Sequence, residues 1–244
     1  MVTQRELKAL ISEFIGSFLL VFVSTWSFCA REAKQLSWLG VGLANTAITM
    51  ALMYALISLS GAHLNPVVTF SKLALRSFQL RKTFLYLFCQ LSGSFLAALV
   101  VIFMSPFEYP DREIGEIFFP QKSPFISDFQ AFVVEFLLSA LYMFVFSATI
   151  IDSRAPTSVF GFALGAVVLI GTLVAGPYTG GCVNPLRIFG PQLLADRLDN
   201  AWIYWVSTMF GGIFATFYYD FFLAKEEDID LEEAKPAAKP LTAQ

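Results

Sequence analysis

The sequence predicts an all-α membrane protein: six transmembrane helices plus two reentrant half-helices, arranged as an inverted 3+3 repeat. Three observations carry this prediction. The 244 residues are 57% hydrophobic and only 14% charged, against about 25% charged in an ordinary soluble domain. The charges bunch, and the gaps between bunches have the length of a bilayer crossing, about 20 residues. The chain also repeats itself, with matching segments offset by 122 and 119 residues.

The spans follow in order. Residues 14–30 are uncharged, and the pattern extends back to Leu7 across Lys8 and Glu13. This apolar core is too long for a cleaved leader, and the residues around Ala30 make a poor cleavage site. The second span is the most apolar part, 38–59, of an uncharged run over 35–71. The third covers 83–107, and the fourth covers 129–151 with Glu135 as its one charge. The fifth lies in the uncharged run 155–186, and the sixth covers 201–219. Residues 1–107 form the first repeat, 108–127 a Pro- and charge-rich connection, 128–223 the second repeat, and 224–244 a tail. The tail is acidic over 226–233 and then rich in Lys, Pro and Ala, which predicts disorder. Ten of the 16 Lys and Arg residues fall on the side of the two termini, so both termini are expected in the cytoplasm.

Several classes are excluded at this stage. A net charge of −3 with no basic face gives no nucleic-acid partner. One His and three Cys without a CxxC pair predict no metal centre, and no cofactor is expected.

The repeat is read from two alignments. Glu13-Phe14-Ile15-Gly16-Ser17-Phe18-Leu19-Leu20-Val21-Phe22 matches Glu135-Phe136-Leu137-Leu138-Ser139-Ala140-Leu141-Tyr142-Met143-Phe144 at five of ten positions. Asn65-Pro66 meets Asn184-Pro185, and Phe70 meets Phe189. With three spans per half, the second half must sit inverted, and the working site is expected at the midplane between the halves.

The two Asn-Pro segments carry the functional signal. Ser60-Gly61-Ala62-His63-Leu64-Asn65-Pro66 follows the second span, and Thr179-Gly180-Gly181-Cys182-Val183-Asn184-Pro185 follows the fifth. Gly-rich backbone followed by Asn and Pro reads as an extended strand, an N-cap and a first helical position. The apolar stretch after each Pro is too short to cross a bilayer. Non-helical backbone at membrane depth is tolerated where it lines a polar cavity. The carbonyls of Gly61, Ala62 and His63, and of Gly180, Gly181 and Cys182, are therefore expected to form a ladder of acceptors. Two half-helix dipoles and the Asn65 and Asn184 amides would meet at the centre. Such a site takes a neutral polar molecule and repels cations.

These motifs, with Leu186-Arg187-Ile188-Phe189-Gly190-Pro191 after the second, resemble the two signature loops of the aquaporin family of major intrinsic proteins. The resemblance covers roughly residues 6–223. It implies six spans with two half-helices, a homotetramer in the lipid bilayer, and one pore per subunit. The third motif residue departs from the family's usual Ala: here it is Val67 and Leu186, where the motifs are expected to pack against each other's Pro66 and Pro185. The resemblance also implies a filter of four positions: Asn45, Thr172, Gly181 and Arg187. The first two are usually Phe and His in strict water channels of the family, so a wider, polar constriction is expected. Ile188 after the Arg, and the pair Tyr204-Trp205, look water-type instead. Arg187 is independently unusual, because Arg in an apolar stretch nearly always faces a polar cavity.

Glu13 and Glu135 occupy equivalent repeat positions without a catalytic constellation around them. They are expected to hold the unpaired backbone of the reentrant loops, a role the resemblance also implies. Gly16, Gly93, Gly165, Gly211 and Gly212 are expected to allow close helix crossings. Cys182, beside Gly181, either exposes its thiol to the pore or turns it into the protein. The expected function is a passive channel for water that excludes protons and ions, not an enzyme. Glycerol, urea or hydrogen peroxide as permeants, and a non-conducting membrane structural protein of the same fold, are the alternatives.

Overall fold

The structure, a computed structural model, describes residues 3–104, 118–155 and 158–224. Six long helices and two short ones account for most of them. They are α1 (Gln4–Glu32), α2 (Trp38–Ser60), α3 (Pro66–Ala74), α4 (Leu80–Met104), α5 (Asp128–Phe146), α6 (Phe160–Thr179), α7 (Leu186–Leu194) and α8 (Ala201–Phe222). A π-helical turn, Ser147–Ile151, continues α5. Among the described residues, α1, α2, α4, α6 and the span Asp128–Ile151 are long and apolar enough to cross a membrane. The sixth long helix, α8, is equally long at 22 residues and lies along α5. The distal tail, 225–244, and residues 105–117 of the third-span end and the connection lie outside the described residues.

Helix ends follow local chemistry. Thr3, Ser37 and Ser127 cap α1, α2 and α5 by accepting from backbone N–H groups, and Gln130 completes a capping box with Ser127. The α5–α6 connection is clasped to α8: Arg154 bonds the Asp152 carboxylate at 2.6 Å and the Leu223 carbonyl at 2.8 Å, and Tyr219 Oη donates to Asp152 at 2.8 Å.

Two helix pairs form the walls, α1 with α4 and α5 with α8, and α2 packs on α6 between them. Close approach at each wall depends on a glycine. A Cβ at Gly93 would sit 2.6 Å from the Phe14 carbonyl, and one at Gly211 would collide with the Phe136 carbonyl. Packing between apolar helices in lipid relies on such small residues, because burial from water supplies no force there. Gly165 likewise meets Met50 of α2. Gly16 makes room for Leu56 of α2 and for Leu64 of the first reentrant segment, and Gly212 for Val67 of α3 and Met143 of α5. The half-helices cross over between the halves. The first, α3, packs on α8 as well as α4, and the second, α7, packs on α4 and α1.

Candidate functional site

Each reentrant segment begins with a glycine that ends the preceding long helix in the left-handed region, Gly61 at φ +83° and Gly180 at φ +82°. The extended strand expected from sequence is absent. Instead, left-handed residues recur at matching positions: Gly61, Ala62 and Leu64 in the first segment, Gly180, Gly181 and Val183 in the second. A non-glycine residue in this region costs on the order of 1–3 kcal/mol, and for a β-branched Val183 it is unusual. The alternation turns successive N–H groups to one side, where a buried carboxylate collects them.

Glu13 accepts from the His63 and Leu64 amides at 2.9 Å each, from the Ser60 hydroxyl at 2.7 Å and from Gln90 Nε2 at 2.7 Å. Glu135 accepts from the Cys182 amide at 2.8 Å, the Val183 amide at 2.9 Å and the Thr179 hydroxyl at 2.6 Å. Both carboxyl groups are fully buried. Tyr86 and Tyr204 repeat the correspondence, each donating at 2.9 Å to the last carbonyl of the preceding helix, Ser60 and Thr179. His63 is held inside by the Thr69 hydroxyl at 3.1 Å and by the rings of Phe78 and Tyr86.

Asn65 and Asn184 start the half-helices and tie them together. Their side-chain oxygens accept from the amides of Val67 (2.9 Å) and Leu186 (3.1 Å), which turns each oxygen to its own half-helix and the Nδ2 donors toward other partners. Asn184 Nδ2 donates to the Leu64 carbonyl at 2.7 Å, and Asn65 Nδ2 reaches the Val183 carbonyl at 3.4 Å. Each Asn thus crosses to the opposite segment, and the Asn65 contact is beyond the usual N–H···O range. Pro66 is the first residue of α3, whereas Pro185 immediately precedes α7. The Val67 side chain fills the space left by Gly212 and approaches Met143, so its bulk beyond Ala is directed at α8 and α5. Leu186 is fully buried in the same apolar cluster, and its carbonyl accepts from Ser94 Oγ at 2.5 Å.

Between the segments lies a cavity of about 30 Å³, bordered by Asn65, Asn184, Asn45, Arg187, Leu20 and Tyr142, among others. One water needs roughly 10–15 Å³ by this measure, so the room suits about two waters. Arg187 is anchored on three sides. Its Nη1 donates to the carbonyls of Gly181 (2.6 Å) and Cys182 (3.0 Å), and its Nε donates to Ser24 Oγ at 2.8 Å. Nη2 has no partner among the described residues. Two carbonyls of the expected ladder are thus engaged in holding the guanidinium. Asn45 turns its Nδ2 to the Val41 carbonyl at 2.8 Å and Ser27 Oγ at 3.3 Å, leaving its oxygen for the cavity.

Gly181 has φ +58°, and a Cβ there would collide with the Gly171 carbonyl, so no side chain is possible at this position. Thr172 is brought close to Gly181 by that same contact; like Gly181, it is not among the residues bordering the cavity. It is fully buried, its hydroxyl donates to the Val168 carbonyl at 3.0 Å, and its methyl group faces Gly42. Val168, one turn earlier on α6, borders the cavity instead. Pro120 packs against Gly180, and the Ser123 amide bonds the Tyr178 carbonyl at 2.7 Å, so the described end of the connection covers this segment.

Cys182 borders the cavity, but its side chain takes the inward alternative. Its thiol is fully buried, donates to the Asn184 carbonyl at 3.1 Å, and packs in a cluster with Ile188 and Tyr204. Mercurials should therefore leave water flux through the protein unchanged over minutes, and Cys182→Ser should behave like the parent. Rapid mercurial inhibition that is lost in Cys182→Ser would contradict the buried thiol.

Six long helices enclosing two half-helices that meet at a cavity of mixed polar and apolar lining define a membrane channel architecture. The chain belongs to the major intrinsic protein family, whose sequence profile matches residues 1–219. Among its relatives, Aquaporin NIP1-1 of Arabidopsis thaliana is 32% identical over 216 residues, covering 88% of this chain and 73% of that protein. Nodulin-26 of Glycine max is 29% identical over 242 residues, covering 98% and 85%. The fold is similar to the X-ray structure of the aquaglyceroporin from Plasmodium falciparum, with a TM-score of 0.79, 24% identity, and coverage of 89% of this chain and 96% of that one.

Proposed function

We propose that the chain conducts water in single file through the cavity between its two half-helices and excludes protons and cations. The observation that carries this reading is the crossed Asn65–Asn184 pair beside the anchored Arg187. Each Asn presents only N–H donors to the centre, where both half-helix dipoles are positive. A water there must offer its oxygen to the amides, which interrupts a continuous donor chain for protons. Arg187 adds fixed positive charge where two segment carbonyls would otherwise attract cations. The carbonyls of Gly61, Ala62, His63 and Gly180 remain as acceptors along the approaches.

Two features bear on other permeants. Asn45 and Gly181 leave the Arg187 side polar and without bulk, which favours small neutral solutes; the cavity of about 30 Å³ favours water. Stopped-flow measurements on proteoliposomes should show fast water flux, with urea and glycerol slower by at least about tenfold. Glycerol flux matching water would contradict the size argument. The proposal includes cytoplasmic termini, an inverted arrangement of the two halves, and a homotetramer with one pore per subunit. Protease access to tags at each end and cross-linking in native membranes test these directly.

A further inference from the structure

Tyr142 stands out from the wall in which it sits. It follows Glu135 by seven residues on α5, as Leu20 follows Glu13 on α1, and the two align in the repeat. Both border the central cavity. One half thus supplies an aliphatic side chain and the other a phenol. Tyr142 is only 6% exposed, and its hydroxyl is not among the sealed side-chain atoms without a partner. Buried tyrosine hydroxyls usually find a hydrogen-bond partner, a place that water in the cavity can take. Its neighbours on the cavity wall include Leu20, Met53, Leu64 and Val168, none of which can bond it through a side chain. The polar side chains that share the cavity wall are Asn45, Thr49, Asn65, Asn184 and Arg187, and Asn65 and Asn184 turn their Nδ2 donors across it.

We propose that Tyr142 is a specificity-determining residue of the conduction pathway, an inference that rests on the channel reading above. Its ring sets the width of the waist beside the Asn pair. Its hydroxyl supplies an acceptor on the α5 wall facing the two Nδ2 donors, so a passing water can accept from an Asn and donate to the phenol. A larger solute meets the ring before it can use that arrangement. The waist at Tyr142, rather than the Arg187 side, where Gly181 carries no side chain, is then the size limit.

Tyr142→Leu, which copies the residue of the other half, and Tyr142→Phe separate ring from hydroxyl. All proteins are reconstituted at matched amounts after a check of monodispersity and melting temperature. Tyr142→Leu should raise urea and glycerol flux at least about tenfold relative to water. Tyr142→Phe should keep both solutes excluded while lowering water flux about two- to fivefold, the loss expected for one hydrogen bond of ordinary net strength. Should the Leu variant fail to insert, Tyr142→Met makes the same test, since Leu and Met exchange with little volume change. A conducting parent with unchanged solute flux in the Leu or Met variant overturns the ring as the limit. Unchanged water flux in Tyr142→Phe overturns the role of the hydroxyl. A folded parent no faster than empty vesicles overturns the channel reading, and this proposal with it.

Discussion

Glu135→Ala is expected to abolish water flux and to lower thermal stability sharply. The Glu135 carboxylate is the acceptor for the Thr179 hydroxyl and for the Cys182 and Val183 amides, all fully or almost fully buried. Losing the acceptor of each costs about 1–3 kcal/mol, so three such losses are comparable with the whole stability of many domains, about 5–15 kcal/mol. The left-handed Val183 loses its restraint at the same time, and with it the carbonyl that Asn65 reaches. Glu13→Ala should be milder. Gln90 lies on Glu13 and Thr69, and its buried side-chain oxygen has no partner among the described residues, so a rotated amide can accept part of the load. Thr208, 118 residues later, has its hydroxyl on the Tyr204 carbonyl at 2.5 Å and offers no such substitute to Glu135. Melting temperature in detergent and flux in vesicles check both variants. A Glu135→Ala protein with the parent's melting temperature and flux would show that the carboxylate does not hold the segment.

The second large effect is expected at Arg187. Arg187→Val removes the guanidinium, leaving the Gly181 carbonyl without its donor and the Cys182 carbonyl with the Asn184 amide alone. A repulsive positive charge is thereby exchanged for two acceptors. For a monovalent cation passing at ~4 Å, an effective dielectric of about 20 makes the lost repulsion about 4 kcal/mol, close to three decades in rate. Proton and cation leak should rise by about that order while water flux persists. A folded Arg187→Val protein with unchanged leak would show that Arg187 does not guard the pathway.

Much of the fold is legible in the sequence because its causes are local. Uncharged runs of membrane length mark the long helices, and Asn-Pro after Gly-rich backbone marks where each half-helix starts. The repeat of Glu13 and Glu135 points to their shared task, and the structure gives both the same two amide donors. The rest depends on which way side chains face, and here the sequence is weak. A helix such as α6 is apolar nearly all round, so it carries no periodic signal to say which residue meets the cavity. Counting back from Asn184 finds Thr172 at the right height, yet Val168 borders the cavity and Thr172 turns to Gly42. The same ambiguity left both orientations of the Cys182 thiol open. Left-handed backbone at Ala62, Leu64 and Val183 has no residue-type signature, since none of these favours it; it exists because a buried carboxylate holds the neighbouring amides. Val67 departs from the family's Ala, but its compensation at Gly212 lies 145 residues away and appears only when α3 is packed on α8. Tyr142 is visible in the repeat alignment as the partner of Leu20; what the alignment lacks is the cavity that both border.

The central claim, that water crosses between the crossed Asn pair while charge does not, is tested most directly by one paired measurement. Proteoliposomes containing the folded, inserted protein are subjected to an osmotic step, with proton and potassium conductance recorded in the same preparation. The account predicts shrinkage much faster than in empty vesicles, with a low activation energy and no conductance above the empty-vesicle background. Shrinkage no faster than in empty vesicles, or fast shrinkage accompanied by ionic current, would contradict it.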